Sequence, residues 1–139
     1  MAKTERLINS SIKISKKNIL KVIIKQALKK QNSIFLNLNN LKKLEEIDFT
    51  GKVVGLVGLG NQFAFGESFC GGIKYLYDIV IKKGGKVVGF TNTDGYHYEE
   101  TSIIEDGKFI GLALDEENQP NLTPKRIGDW IAEIKKEFK

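Results

Sequence analysis

The run Lys52-Val53-Val54-Gly55-Leu56-Val57-Gly58 constrains the fold more than any other stretch of the chain. It is a β-branched apolar segment of strand length with no polar alternation, as expected for a strand buried on both faces in a parallel sheet. A glycine-containing loop, Gly58-Leu59-Gly60-Asn61-Gln62-Phe63-Ala64-Phe65-Gly66, follows at once. Beyond it Phe69, Ile73, Leu76 and Val80 recur on one helical face, predicting a helix over residues 67–83 that Gly84-Gly85 stops. A second strand is expected at 86–91 and a third extended segment at 108–114, neighbours of the first. Thr123 as N-cap and Pro124 at the first helical position open a last helix over 123–138, whose buried stripe is Ile127, Trp130, Ile131, Ile134 and Phe138. Strands alternating with helices imply an α/β fold on an open, mainly parallel sheet.

The front of the chain is built differently. Residues 1–44 hold eleven Lys or Arg against Glu5 alone, a net +10, whereas residues 45–139 hold eleven basic and sixteen acidic residues, a net −5. All fourteen glycines lie at or beyond Gly51. This divides the chain into a basic, glycine-free segment, 1–44, and a body, 45–139. In the segment Ile19, Leu20, Ile23, Ile24, Ala27 and Leu28 recur at helical spacing among lysines, predicting one basic amphipathic helix over residues 18–30. A short strand at 33–38 is a further candidate. A basic amphipathic helix is either a solvated helix against a core or a binder of nucleic acid or anionic surfaces.

At 139 residues the chain has the size of one compact domain. One cysteine, Cys70, allows neither an internal disulfide nor a Cys-x-x-Cys pair, which points to a reducing cytoplasm. No apolar run is long enough to span a bilayer.

Enzyme chemistry fails on named residues. Gly58-x-Gly60 begins a dinucleotide fingerprint, but Phe63 fills the third glycine position and is too large for close helix-to-strand packing. No phosphate-cradling Gly-x-x-x-x-Gly-Lys-Ser/Thr occurs. Gly66-Glu67-Ser68-Phe69-Cys70 lacks the closing glycine of a nucleophile elbow. His97, the single histidine, has no partner ligands for a metal, so it reads as a surface or packing residue. What remains is a glycine-containing loop at the C-terminal end of a parallel strand, where open α/β sheets bind ligands. Phe63 and Phe65 on it can stack on a flat heterocycle such as flavin, or fold back into the core.

Gly58-Leu59-Gly60-Asn61-Gln62, Phe65 and Phe69, Thr93-Asp94-Gly95-Tyr96-His97-Tyr98, the run from Gly107 to Gln119, and Arg126 with Trp130 together resemble the second half of a long-chain bacterial flavodoxin. The resemblance covers about residues 41–139, with 92–107 resembling the insertion that splits the last strand in long-chain members. It implies a partial flavodoxin-like parallel sheet of about three strands with flanking helices, to which the basic front helix is added. It also implies FMN, single-electron transfer rather than enzymatic catalysis, and redox partners with basic docking faces. Flavodoxins are themselves a standard instance of the ligand-at-the-strand-ends rule. Carried over by position, Gly58, Leu59, Gly60, Asn61, Gln62 and Phe65 fall in the family's second flavin-ring loop, and Glu117 near the ribityl chain. Asn61 stands where the family usually has Asp, and Phe65 where it usually has Tyr.

The resemblance also exposes a gap. The family opens with a strand and a Thr/Ser- and Gly-rich phosphate loop, and its first ring loop usually carries a Trp, but residues 1–50 have no glycine and the one tryptophan is Trp130. The resulting expectation is a truncated or frame-shifted flavodoxin with weak or lost FMN binding, with genuine divergence as the alternative. Its first body strand would offer an unpaired edge, open to self-association unless a partner strand covers it. The second functional reading is a non-catalytic module that binds nucleic acid or anionic surfaces through the front helix.

Overall fold

The computed structural model describes residues 19–23, 45, 46, 48–64, 66 and 69–137. In chain order they form β1 (Ile19–Ile23), β2 (Val53–Leu59), α1 (Gly72–Lys82), β3 (Lys86–Val88), β4 (Ile104–Glu105), β5 (Lys108–Phe109), β6 (Leu112–Leu114), a 3-10 turn (Pro120–Leu122) and α2 (Thr123–Glu137).

β2 is the centre of a parallel sheet. β1 pairs along it from Ile19 opposite Val53 to Ile23 opposite Val57. β3 pairs with Val53, Val54 and Gly55, and β6 with Val57, Gly58 and Leu59. Because Val53 and Val57 each already face β1, β3 and β6 must share the opposite edge of β2. The sheet is therefore three positions wide, with the last position divided between two short strands. Between them the chain leaves the edge, and an antiparallel bridge between Thr91 and Phe109 closes the neck of the excursion. Inside it β4 and β5 form a hairpin, turned by Asp106 and Gly107, both at positive φ.

The strand period of two assigns the faces of β2. Val54 and Leu56 lie in one buried cluster with Ile73, Leu76 and Val80 of α1, whereas Val57 and Leu59 lie in another with Ile127, Trp130, Ile131 and Ile134 of α2. The strand glycines obey the same parity. A Cβ on Gly58 would come within 2.5 Å of Ile73, and one on Gly55 within 3.0 Å of Trp130. Helices cover both faces, which is why β2 reads as a continuous apolar run.

Several expectations change. Residues 19–23 are a strand, not part of a helix; the remainder of the predicted 18–30 helix and the candidate strand at 33–38 lie outside the described residues. The segment Ile-Leu-Lys-Val-Ile is rich in β-branched residues, and β2 had an unpaired edge to satisfy, so backbone pairing overrides the helical spacing. The edge expected to be open is thereby covered. α1 begins at Gly72 rather than at residue 67, because Cys70 sits at φ +53 and interrupts helical geometry just ahead of it. Phe69 nevertheless reaches the predicted core, as do Ile73, Leu76 and Val80. The segment 108–114 is not one strand: β5 pairs antiparallel in the hairpin and only β6 joins β2. Thr123 is not a side-chain cap, since the 3-10 turn runs directly into α2, Thr123 itself is helical, and its buried Oγ1 has no partner among the described residues.

Candidate functional site

The C-terminal ends of β2 and β6 lie side by side, so the two turns that follow them, residues 60–64 and 115–119, meet at one edge of the sheet. Gly60 N donates to Leu114 O at 2.9 Å, extending the β2–β6 pairing by one bond. Gly60 is required there because a Cβ would fall 2.7 Å from both Cys70 Sγ and the Phe69 ring. The chain then turns on Asn61, whose Oδ1 accepts from Phe63 N at 3.1 Å and Ala64 N at 2.9 Å.

Asp115 closes the facing turn. Its Oδ1 accepts from Glu117 N at 3.2 Å and Asn118 N at 3.0 Å, and its Oδ2 reaches across to accept from Gln62 N at 3.0 Å and Gln62 Nε2 at 2.9 Å. Asn118 Nδ2 ties the turns together, donating to Asn61 Oδ1 at 2.8 Å and to Asp115 Oδ2 at 2.9 Å. The Asp115 side chain is fully buried. Burial alone would raise its carboxyl, but the hydrogen bonds from Gln62 and Asn118 outweigh that and hold it below the ordinary carboxylate value. It is therefore a buried anion at neutral pH.

The excursion supplies the third wall. His97 N donates to Gln62 Oε1, and Gln119 Nε2 donates to Gly95 O at 2.8 Å. Arg126 of α2 donates from Nη1 to Gln119 Oε1 at 2.8 Å and lies over the Tyr96 ring, 3.9 Å from its centre. Farther along, Glu99 N and Glu100 N donate to Gly66 O, and Thr101 Oγ1 donates to Phe69 O at 2.5 Å. Burial pushes the Tyr96 phenol up to about 12, and its hydroxyl donates to Ala113 O at 2.6 Å. Burial likewise pushes the Cys70 thiol up, leaving it a packing residue.

Of the positions singled out from sequence, Gly58 and Leu59 belong to β2 and are buried in the sheet. Asn61 and Gln62 are also buried, the Asn61 side chain bonded to the loop's own N–H groups and to Asn118, that of Gln62 to Asp115, Gln119 and His97. Phe63 is 69% exposed and stacks on the exposed His97 ring, so it does not fold back into the core. Phe65 lies outside the described residues. Glu117 is exposed on the 115–119 turn. The N–H groups of residues 60, 62, 63 and 64 are all engaged within the protein, while that of Asn61 has no partner among the described residues. Sequence reading gave no site role to Asp115, Gln119 or Arg126. The signal for Asp115 was an acid placed directly after the buried strand Leu112–Leu114.

The chain has similar relatives among known proteins. The chain is 49% identical over 98 residues to a flavodoxin of Helicobacter pylori, a match covering 70% of this chain and 58% of that protein. It is 43% identical over 96 residues to a flavodoxin of a Nostoc species, covering 69% of this chain and 56% of the relative. The chain thus spans somewhat more than half the length of these curated relatives. The crystal structure of Fusobacterium nucleatum flavodoxin bound to flavin mononucleotide matches at TM-score 0.77 and 79% identity, over 88% of this chain and 72% of that one.

The chain belongs to the flavodoxin family. A mutant of the Fusobacterium flavodoxin, also bound to flavin mononucleotide, matches over 99% of this chain and 89% of that one at TM-score 0.84 and 65% identity. No family model matches the chain. Within a flavodoxin frame, residues 60–64 form a turn with one outward aromatic and one N–H that has no partner among the described residues, chemistry suited to the polar edge of a flat ring. Nothing in that turn resembles a phosphate cradle, because its other N–H groups are taken.

Proposed function

We propose that this chain is a flavodoxin-type carrier of single electrons, not an enzyme, and that FMN is its cofactor. Bound FMN would supply the chemistry, taking up and releasing one electron at a time. The protein's own part is to present a flat, partly apolar edge: the loop 58–65, with Gly58, Leu59 and Gly60 setting its root, Asn61 and Gln62 its turn, Phe65 a stacking face, and Glu117 a position near the ribityl chain. The observation that carries this reading is the turn at 60–64, tied from behind by Asp115 while the Asn61 N–H has no partner among the described residues. FMN-bound flavodoxins among the matching structures support it.

The affinity is proposed to be low. The glycine-free residues 1–50 offer no counterpart of the family's phosphate loop. Each charge-assisted hydrogen bond to the phosphate is worth about 1.5 to 3 kcal/mol, so two fewer weaken binding by about two to four powers of ten. The acidic body, a net −5 over residues 45–139, suits docking to basic faces of redox partners, and a cytoplasmic setting fits the single buried Cys70. The nucleic-acid reading is weakened by the strand at β1, which takes residues 19–23 out of the helix on which it rested.

Titrating FMN with the purified chain and following flavin fluorescence tests the proposal. Saturable quenching at micromolar or weaker affinity is expected, lost in Phe65→Ala. No quenching at any FMN concentration would contradict it.

A further inference from the structure

We propose that Asp115 is a positioning residue for the flavin-ring loop, holding residues 60–64 in their binding conformation through Gln62. The proposal rests on the reading that this loop meets the flavin. Asp115 is the one carboxylate bonded to the loop backbone among the described residues, and it is fully buried. Its Oδ2 takes both the main-chain and side-chain N–H groups of Gln62. Gln62 is in turn the residue where three segments join: its Oε1 accepts from His97 N of the excursion, and its Nε2 also donates to Gln119 Oε1 at 2.9 Å.

The geometry separates this role from simple turn formation. Oδ1 of Asp115 suffices to form the 115–119 turn, by accepting from the N–H groups of Glu117 and Asn118. Oδ2 takes two bonds from Gln62 of the neighbouring loop besides one from Asn118 Nδ2. Asn61 also meets the facing turn, through Asn118 Nδ2 on its Oδ1, but the other two bonds of that oxygen, from Phe63 N and Ala64 N, stay within the loop, and it carries no charge. Removing the charge at position 115 therefore loosens the loop from behind without touching any face that a flavin would contact. It also removes the buried negative charge nearest to the loop by direct bonding, in a chain whose loop carries Asn61 and no acid of its own.

The test uses the full chain and the Asp115→Asn variant, with Asp129→Asn, an exposed acid paired with Lys125, as control. Amide hydrogen exchange at Gln62, Phe63 and Ala64 should quicken at least tenfold in Asp115→Asn, while Val54 and Leu56 keep their protection. FMN affinity, read by fluorescence quenching, should fall at least tenfold. The control should change neither. Unchanged loop exchange, or equal loss of protection in loop and β2, would overturn the positioning role. Should Asp115→Asn not fold, the unmodified chain decides: Gln62 N–H must exchange at least tenfold more slowly than the Asn61 N–H, which has no partner among the described residues, and equal rates overturn the proposal. Absence of FMN quenching in the unmodified chain would refute the flavin reading itself, whereas quenching that Asp115→Asn leaves unaltered would refute the positioning role alone.

Discussion

Along one edge of β2 the neighbour is a single strand, β1, drawn from the basic, glycine-free front; along the other it is β3 and β6, with a long excursion looped out between them. The β3/β6 edge is fixed by more than its ladder. Trp130 Nε1 donates to Gly89 O at 2.8 Å where the chain leaves β3, Thr91 Oγ1 donates to Gly111 O at 2.6 Å where it returns, and the Asp115 network begins one residue beyond β6. For the β1 edge the described feature is the backbone register, from Ile19 opposite Val53 to Ile23 opposite Val57. An edge fixed by side chains and close-packed glycines, as at β3 and β6, tolerates little change.

The sharpest way to break the specified edge is at Gly111. A Cβ there would lie 2.5 Å from Leu56 O, a main-chain atom that cannot rotate aside. Gly111→Ala should destabilise by about 3 kcal/mol, the upper end for overpacking, read as a lower urea midpoint. A midpoint within error of the parent would mean that β6 does not close against β2 as described.

The β1 edge calls for a smaller effect. Successive N–H groups of a strand point to opposite edges, so of Leu20→Pro and Lys21→Pro one must remove a bond to β2. That variant should lose about 1 to 2 kcal/mol and the other less. Equal stability of both with the parent would show that β1 does not pair in solution.

The same contrast explains what was legible in the sequence. β2 is a continuous apolar run, and the inward face of α1 and the stripe Ile127, Trp130, Ile131 and Ile134 are periodic patterns; burial obeys all three, Phe138 at the end of that stripe lying outside the described residues, and Gly84 does stop α1, at φ +88. β1 was not legible because Ile19, Leu20 and Ile23 satisfy helical spacing as well as strand propensity, and only the vacant edge of β2 decides between them. The break between β5 and β6 was hidden because both halves are apolar and extended. A turn does follow β2 where its glycines stand, but Asp115, which bonds to it, lies 53 positions away from Gln62, and no local pattern joins them.

The smallest effect concerns acid. The folded Asp115 carboxyl sits below its ordinary value of 3.8, so its contribution to stability is complete above that pH and is lost as pH falls through the folded value. Below about pH 4 the parent should therefore lose stability more steeply than Asp115→Asn, which has no such proton to take up. Parallel acid profiles in thermal melts would show that the Gln62–Asp115 bonds add nothing specific to the charged form. Asp48 is lowered as well, through Thr50, and because both proteins retain it, it cancels in the comparison.

We propose that residues 45–139 carry the ring-binding edge of a flavodoxin site and that the glycine-free residues 1–50 supply no phosphate cradle. Gel filtration after incubation with excess FMN, with protein and flavin absorbance followed together, tests it most directly. The claim predicts a protein peak with no flavin colour, any weakly held FMN being left behind on the column. One FMN per chain travelling with the protein would contradict it, and would mean that residues of the front segment, or of a second copy of the chain, rebuild a phosphate site.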